Sequence, residues 1–210
     1  MTDSSTASGR KSGTAERRIL DAAMSAFIKH GYDETSTLEI AKRARVSKRD
    51  IYAAFGNKQQ MLMACILERT GRLQPPDDLP EPRDRESLGR ALTAFGTQIL
   101  TVLTDPAAIG VLRIAIAQAP RDQKIAKVLS ERRYQPALEQ IMSRARAARL
   151  VAGRPAEMTE HFSGLLWGDL MLQLLLGVAK APDAKEIARR ASTAAAGFLR
   201  QYPEGDTPTS

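Results

Sequence analysis

At 210 residues, 43% hydrophobic and 26% charged, the chain has the balance of an ordinary globular protein: one large domain, or a small one joined to a medium one. A single cysteine, Cys65, excludes an intrachain disulfide framework and fits a reducing compartment, while 5% aromatic residues with abundant Ala and Leu disfavour a sheet fold. The net charge of +7 suits a negatively charged partner, nucleic acid first, and it is unevenly spread: residues 1–72 hold 13 Lys/Arg against 8 Asp/Glu, net +5, which leaves +2 for the rest.

In chain order, residues 1–13 are Ser/Thr/Gly-rich and read as a disordered tail, without the apolar core of a signal peptide. A first helix is predicted from Thr14 to Lys29, with Ile19, Ala22, Ala23, Ala26 and Phe27 on one face and Gly31 as its left-handed stop. A second helix opens at Ser36, whose side chain and that of Glu39 three residues on form a capping box, and continues to Ala44. A third short helix opens at Ser47, with Asp50 in the same supporting position, and ends at Gly56. Asn57 then caps a fourth from Lys58 to Arg69. These elements make a first domain over 14–72.

Four prolines among the ten residues from Gln74 to Arg83 forbid a helix there, so a semi-rigid linker is placed at 73–84. Beyond it, a second domain over 85–202 holds five more predicted helices. One carries Leu88, Ala91, Leu92, Phe95, Ile99 and Val102 on a single stripe. The others run from Pro106 to Pro120, from Asp122 to Leu150 with a kink near Pro136, from Pro155 to Ala179, and from Asp183 to Leu199. Residues 203–210 read as a second tail. The fold class is therefore all-α with about nine helices. The longest apolar stretch, Gly164 to Ala179, contains Asp169 and Gln173 and is too short and polar to span a bilayer, so no membrane partner and a cytoplasmic location are expected.

Function is carried by the tight turn between the second and third helices. Lys42, Arg43, Arg45, Lys48 and Arg49 place five cations in eight residues with no acid among them, around the start of what would be a recognition helix. Lys48, Arg49 and Lys58 also sit in first turns, where a cation opposes the helix macrodipole. A phosphate bound there would reverse the sign of that interaction; long stems that carry the charge into water are the alternative.

The run from Arg18, I-L-D-A-A-M-S-A-F-I-K-H-G-Y, followed by T-S-T-L-E-I-A-K-R-A-R-V-S-K-R-D-I-Y-A-A-F-G-N-K-Q-Q-M-L, resembles the DNA-binding domain of TetR/AcrR-type regulators. The resemblance implies a three-helix helix-turn-helix domain with a connecting helix, followed by a helical domain that dimerises and binds a small-molecule effector. It places Ser36 and Thr37 near the phosphate backbone and Ser47, Lys48, Arg49 and Tyr52 on the recognition helix. Lys58 matches a lysine that grips a phosphate, and Ile40, Ala41, Val46, Ile51 and Phe55 match the small core. Tyr52 reads either as a core aromatic or as a phosphate-contacting hydroxyl. Arg45 departs from the family's usual glycine, which costs on the order of 1 kcal/mol if the backbone there needs positive φ, although Arg45 could also add a DNA contact. The expected division of labour has Arg49 reading a base and Lys58 a phosphate.

In the second domain the resemblance places Phe95, Leu112, Ile116, Met142, Trp167 and Met171 on helices that line a ligand cavity, with plain core as the alternative for each. Asp169, His161 and Gln173 read either as polar contacts of that cavity or as residues facing solvent or the dimer partner, and the small residues Gly164, Gly168, Ala188, Ala191, Ala194 and Ala195 permit close helix packing within the subunit or across a homodimer. The expected function is a repressor released from a palindromic double-stranded operator by a small molecule. The alternative is a ligand-independent helical dimer that binds nucleic acid. Catalysis is not expected: His30 and His161 lie far apart, Cys65 stands alone, and neither metal-ligand spacing nor a cofactor motif occurs.

Overall fold

The computed structural model describes residues 5–70, 82–130 and 134–205, and among these it is entirely helical. The helices are α1 (Ser5–His30), α2 (Thr37–Ala44), α3 (Lys48–Phe55), α4 (Lys58–Thr70), α5 (Arg85–Leu103), α6 (Pro106–Gln118), α7 (Gln123–Ser130), α8 (Gln135–Ala147), α9 (Pro155–Trp167), α10 (Leu170–Leu176) and α11 (Ala184–Gln201). A short 3-10 turn, Ala119–Arg121, separates α6 from α7.

Two of the nine predicted helices are broken, which makes eleven. The stretch from Asp122 to Leu150 divides into α7 and α8, and Pro136 falls in the first turn of α8, where its missing N–H breaks no bond. The stretch from Pro155 to Ala179 divides at Gly168, whose φ of 48° and ψ of −124° suit glycine and end α9. The tails also need correction. α1 already begins at Ser5 rather than Thr14, because extending an existing helix adds one hydrogen bond per residue without a new nucleus. At the other end, the Ala152 N–H donates to the Pro203 carbonyl at 2.9 Å and the Gly205 N–H to the Arg149 carbonyl at 3.2 Å, so 203–205 are tied down. Residues 206–210 and the part of the proline-rich linker at 73–81 lie outside the described residues.

The described residues form two compact units that do not follow the expected split in chain order: 5–69 packs with 106–130, and 82–105 with 134–205. In the first unit, Ile19, Ala23 and Phe27 of α1 meet Ile40 and Ala44 of α2, Ile51 of α3, and Met61, Leu62 and Cys65 of α4. Val111 and Ala115 of α6 and Ile125 of α7 complete the same buried cluster. Ile28 lies so close to Gly110 that a β-carbon there would meet its Cγ1 at 2.9 Å. The α6–α7 segment is thus part of the core that carries α2 and α3.

In the second unit α5 packs along α11, and α9 packs against both α8 and α11. Leu92, Phe95 and Ile99 of α5, Met142 of α8, Phe162 of α9 and Phe198 of α11 are fully buried. At one end the Arg85 guanidinium donates to the carbonyls of Leu150 at 2.6 Å, Tyr202 at 2.9 Å, and Leu199. Three chain segments are joined there by one side chain. Among the described residues no single helix is long and apolar enough to cross a membrane.

Candidate nucleic-acid interface

The local rules that make α2 and α3 also set their exposed side chains. Ser36 is the N-cap of α2, extended at φ −92° and ψ 148°, and its Oγ accepts the Glu39 N–H at 3.1 Å. The reciprocal half of the expected capping box gives way to a different pairing. The Glu39 carboxylate lies 3.1 Å from Arg43, which is four positions on and so on the same helix face, and 3.4 Å from His30 at the end of α1. At α3 the box is complete: Ser47 Oγ accepts the Asp50 N–H at 3.1 Å, and the Ser47 N–H donates to Asp50 Oδ2 at 2.8 Å. These bonds from Ser47 hold the Asp50 carboxyl below the usual carboxylate range.

Between the caps lies Arg45, at φ 55° and ψ 49°. The Arg45 N–H reaches the Lys42 carbonyl at 3.3 Å and the Val46 N–H reaches the Ala41 carbonyl at 3.1 Å, the pattern of a left-handed helix stop. The positive φ foreseen as costly for a non-glycine residue is present, and this tight stop turns the chain directly into α3.

Lys48, Arg49, Tyr52 and Ala53 are exposed on α3, with Ile51 fully buried beneath them. The Lys48 ammonium stands 5.6 Å from the Tyr52 ring centroid, and the Tyr52 hydroxyl is 3.5 Å from Thr37 Oγ1 at the start of α2. Tyr52 is 45% exposed, which excludes the core reading. Thr37, Lys48 and Tyr52 are therefore brought together on one surface, next to Ser36 and Ser47 at the two caps. Among the described residues Lys42, Arg45, Lys48 and Arg49 form no ion pair, whereas Arg43 is engaged with Glu39.

Lys58, expected at a phosphate, meets the chain's own backbone in the protein without DNA. Its ammonium donates to the carbonyls of Tyr32 at 2.8 Å, Thr35 at 3.1 Å and Asp33 at 3.2 Å, and lies 4.5 Å from the Tyr32 ring centroid. Three donors meet three acceptors, so the cation in this first helical turn is offset within the protein. Asn57 caps α4 as expected, its Oδ1 accepting the Gln60 N–H at 2.8 Å. Tyr32, Thr35 and Asp33 were missed by sequence reasoning, because the ligands of the ammonium are backbone carbonyls, which no residue type announces. Burial first, then the Asp33 and Asp122 carboxylates, push the Tyr32 phenol up.

The residues expected at a ligand cavity divide between the units. Phe95, Met142, Trp167 and Met171 belong to the second, whereas Leu112 and Ile116 lie on α6 in the first, with Ile116 exposed. The Trp167 indole N–H donates to the Tyr134 hydroxyl at 3.2 Å, so the polar group foreseen in that apolar stretch has a partner. His161 Nδ1 is 3.2 Å from the Tyr202 hydroxyl, and Asp169 accepts from Gln173. Among the described residues no cluster of His, Cys, Asp or Glu could hold a metal ion.

Comparison with known proteins gives the family. Residues 19–65 match the model of bacterial regulatory proteins of the tetR family, and residues 90–204 match that of the C-terminal domain of AefR-like transcriptional repressors. The uncharacterized HTH-type transcriptional regulator YvkB of Bacillus subtilis (strain 168) is 27% identical over 176 residues, 80% of this chain and 89% of that protein. Among solved structures, a TetR transcriptional regulator from Agrobacterium tumefaciens is 26% identical with a TM-score of 0.75, covering 90% of this chain and 94% of that one. The flavonoid-responsive regulator FrrA is 28% identical with a TM-score of 0.70, covering 91% and 98%. The chain belongs to the TetR family of bacterial transcriptional regulators and is a DNA-binding regulator of transcription.

Proposed function

We propose that the chain is a homodimeric, cytoplasmic repressor that places α3 of each copy in successive major grooves of a palindromic operator and leaves the DNA when a small molecule binds its second unit. The observation that carries the DNA-binding face is the group of half-buried Thr37 with exposed Lys48 and Tyr52 on one surface, with exposed Arg49 next to Lys48 in the first turn of α3 and the cations Lys42 and Arg45 close by in the chain. Thr37 and Tyr52, with the caps Ser36 and Ser47, contact phosphates. Lys48, at the start of a helix and leaning over the Tyr52 ring, does the same. Arg49 has no ion pair and a fork that matches guanine O6 and N7, so it reads a base. Arg45 adds a phosphate contact from the turn.

Dimerisation is supported by an apolar surface in the second unit: Leu165, Leu172, Leu176 and Val178 are exposed, and so are the small residues Gly164, Gly168 and Ala188. Ala191, Ala194 and Ala195 are buried within the subunit instead. A two-fold dimer presents two recognition helices about one DNA turn, roughly 34 Å, apart. Repression is supported by the AefR-like repressor model, and response to a small molecule by the likeness to FrrA, which is flavonoid-responsive.

Selection of bound duplexes from a random pool tests this reading. An inverted repeat with one fixed half-site spacing is expected. No enriched motif, with equal affinity for selected and random duplexes, would favour the ligand-independent rival, and a monomer in sedimentation at micromolar concentration would refute the dimer.

A further inference from the structure

The start of α4 holds a cation that its surroundings have already satisfied. The Lys58 ammonium has three N–H donors, and the carbonyls of Tyr32, Asp33 and Thr35 take all three at 2.8, 3.2 and 3.1 Å, with the Tyr32 ring 4.5 Å away on another side. A phosphate could reach this nitrogen only by displacing one of those carbonyls. The carbonyls belong to the short turn that leaves α1 at Gly31, whose φ is 83°, and enters α2 through the Ser36 cap. Within the same turn Thr35, itself buried, donates its hydroxyl to the Gly31 carbonyl at 2.7 Å. The residue after the cap is Thr37, which faces the Tyr52 hydroxyl. The turn also meets the 3-10 segment, where the Asp33 carboxylate lies 3.9 Å from Arg121, and the start of α4 is tied to the residue just after that segment, Asp122, by the Gln59 amide.

We propose that Lys58 is a positioning residue for DNA recognition: its ammonium pins the α1–α2 turn so that Ser36 and Thr37 meet the DNA backbone in register with Tyr52, and it is not itself a phosphate contact. The proposal rests on the reading of Thr37 and Tyr52 as DNA-contacting. The two roles need different chemistry at position 58. Three carbonyls converging on a point suit a compact ammonium, whereas a phosphate accepts the planar fork of arginine equally well. They also differ in ion release, because each phosphate neutralised adds about 0.9 to the slope of log affinity against log salt.

The test measures binding of the full chain and of the variants K58R, K58M and T37V, and of K58R combined with T37V, to the duplex recovered by selection and to a random duplex, across a salt series. Folding of each variant is checked by thermal melting. The pin predicts that K58R, despite its retained charge, and K58M each lose about tenfold in affinity with the slope unchanged, since a charge-assisted hydrogen bond that ordered the contact is gone. It also predicts that T37V costs less in the K58R background than in the wild type, a coupling that a residue serving stability alone would not show. Wild-type binding by K58R, or a slope smaller by about 0.9 in K58M, would overturn the pin in favour of a phosphate contact. If K58M does not fold, K58R carries the same comparison. A T37V variant with wild-type affinity would instead sink the assigned contact at the start of α2, and the pin with it.

Discussion

Two groups of cations, one in each unit, are treated differently. In the second unit Arg90 pairs with Glu86 at 2.6 Å, Arg154 with Glu157, and Arg189 and Arg190 share Glu186 at 2.7 and 2.8 Å. Each pair is three or four residues apart on one helix face, so its charge is answered locally. In the first unit Lys42, Arg45, Lys48 and Arg49 gather within eight residues and form no ion pair among the described residues. Glu39 and Asp50 answer only part of the charge in this run, so its cations repel one another, and a polyanion relieves that repulsion. The difference teaches that arginine content says little about DNA binding; the distinguishing feature is arginine and lysine left unanswered beside a helix start.

The contrast can be broken from either side, and the largest expected effect is on the second unit. Phe198, fully buried against Phe162 and Tyr202, is a core residue, so Phe198→Ala should cost about 3–5 kcal/mol in denaturant unfolding. The salt slope for random DNA should stay as it is in the protein that remains folded; a collapse of that slope would show that the two units are not separable in this way. Next in size, Arg49→Ala should lose about 1–3 kcal/mol on the selected duplex and little on random DNA. Equal losses on both would make Arg49 a phosphate contact.

Arg45→Gly separates strain from contact within a single residue. Glycine relieves the αL backbone, worth about 1 kcal/mol, and loses part of that gain to chain entropy, so the melting temperature should rise slightly. DNA binding should weaken, with a salt slope smaller by about 0.9. An unchanged slope would mean that Arg45 faces away from the DNA. The smallest effect is on pH dependence. Hydrogen bonds first from Arg189, with Arg190 adding to them, lower the Glu186 carboxyl from 4.5 to about 2. A carboxylate lowered in the folded state supports folding above its unfolded value and loses that support as pH falls through its folded value. Melting temperature should therefore decline between about pH 4.5 and about pH 2 less steeply in Glu186→Gln than in the wild type. An identical decline would mean that the pair contributes nothing to folding.

What was legible in the sequence was local. The caps at Ser47 and Asn57 and the glycine stops at Gly31 and Gly56 depend on side chains within four residues, and all four hold. The cationic turn was equally visible, because charge needs no partner to be read. What was hidden depends on distant chain. Nothing near Val111, Ala115 or Ile125 announces that they complete the core beneath α1 rather than joining the helices that follow. The ring of carbonyls around Lys58 comes from residues more than twenty positions earlier. Even Ser36, a correct cap, lost half of its expected box because Arg43 and His30 compete for Glu39.

The claim that α3 reads sequence through Arg49 is tested most directly by two selections from one random pool, run in parallel with the wild type and with Arg49→Ala. The account predicts the same inverted repeat and spacing from both, with a guanine fixed at one half-site position in the wild-type set and no preference at that position in the variant set. Identical motifs from the two proteins, with that guanine retained, would contradict it.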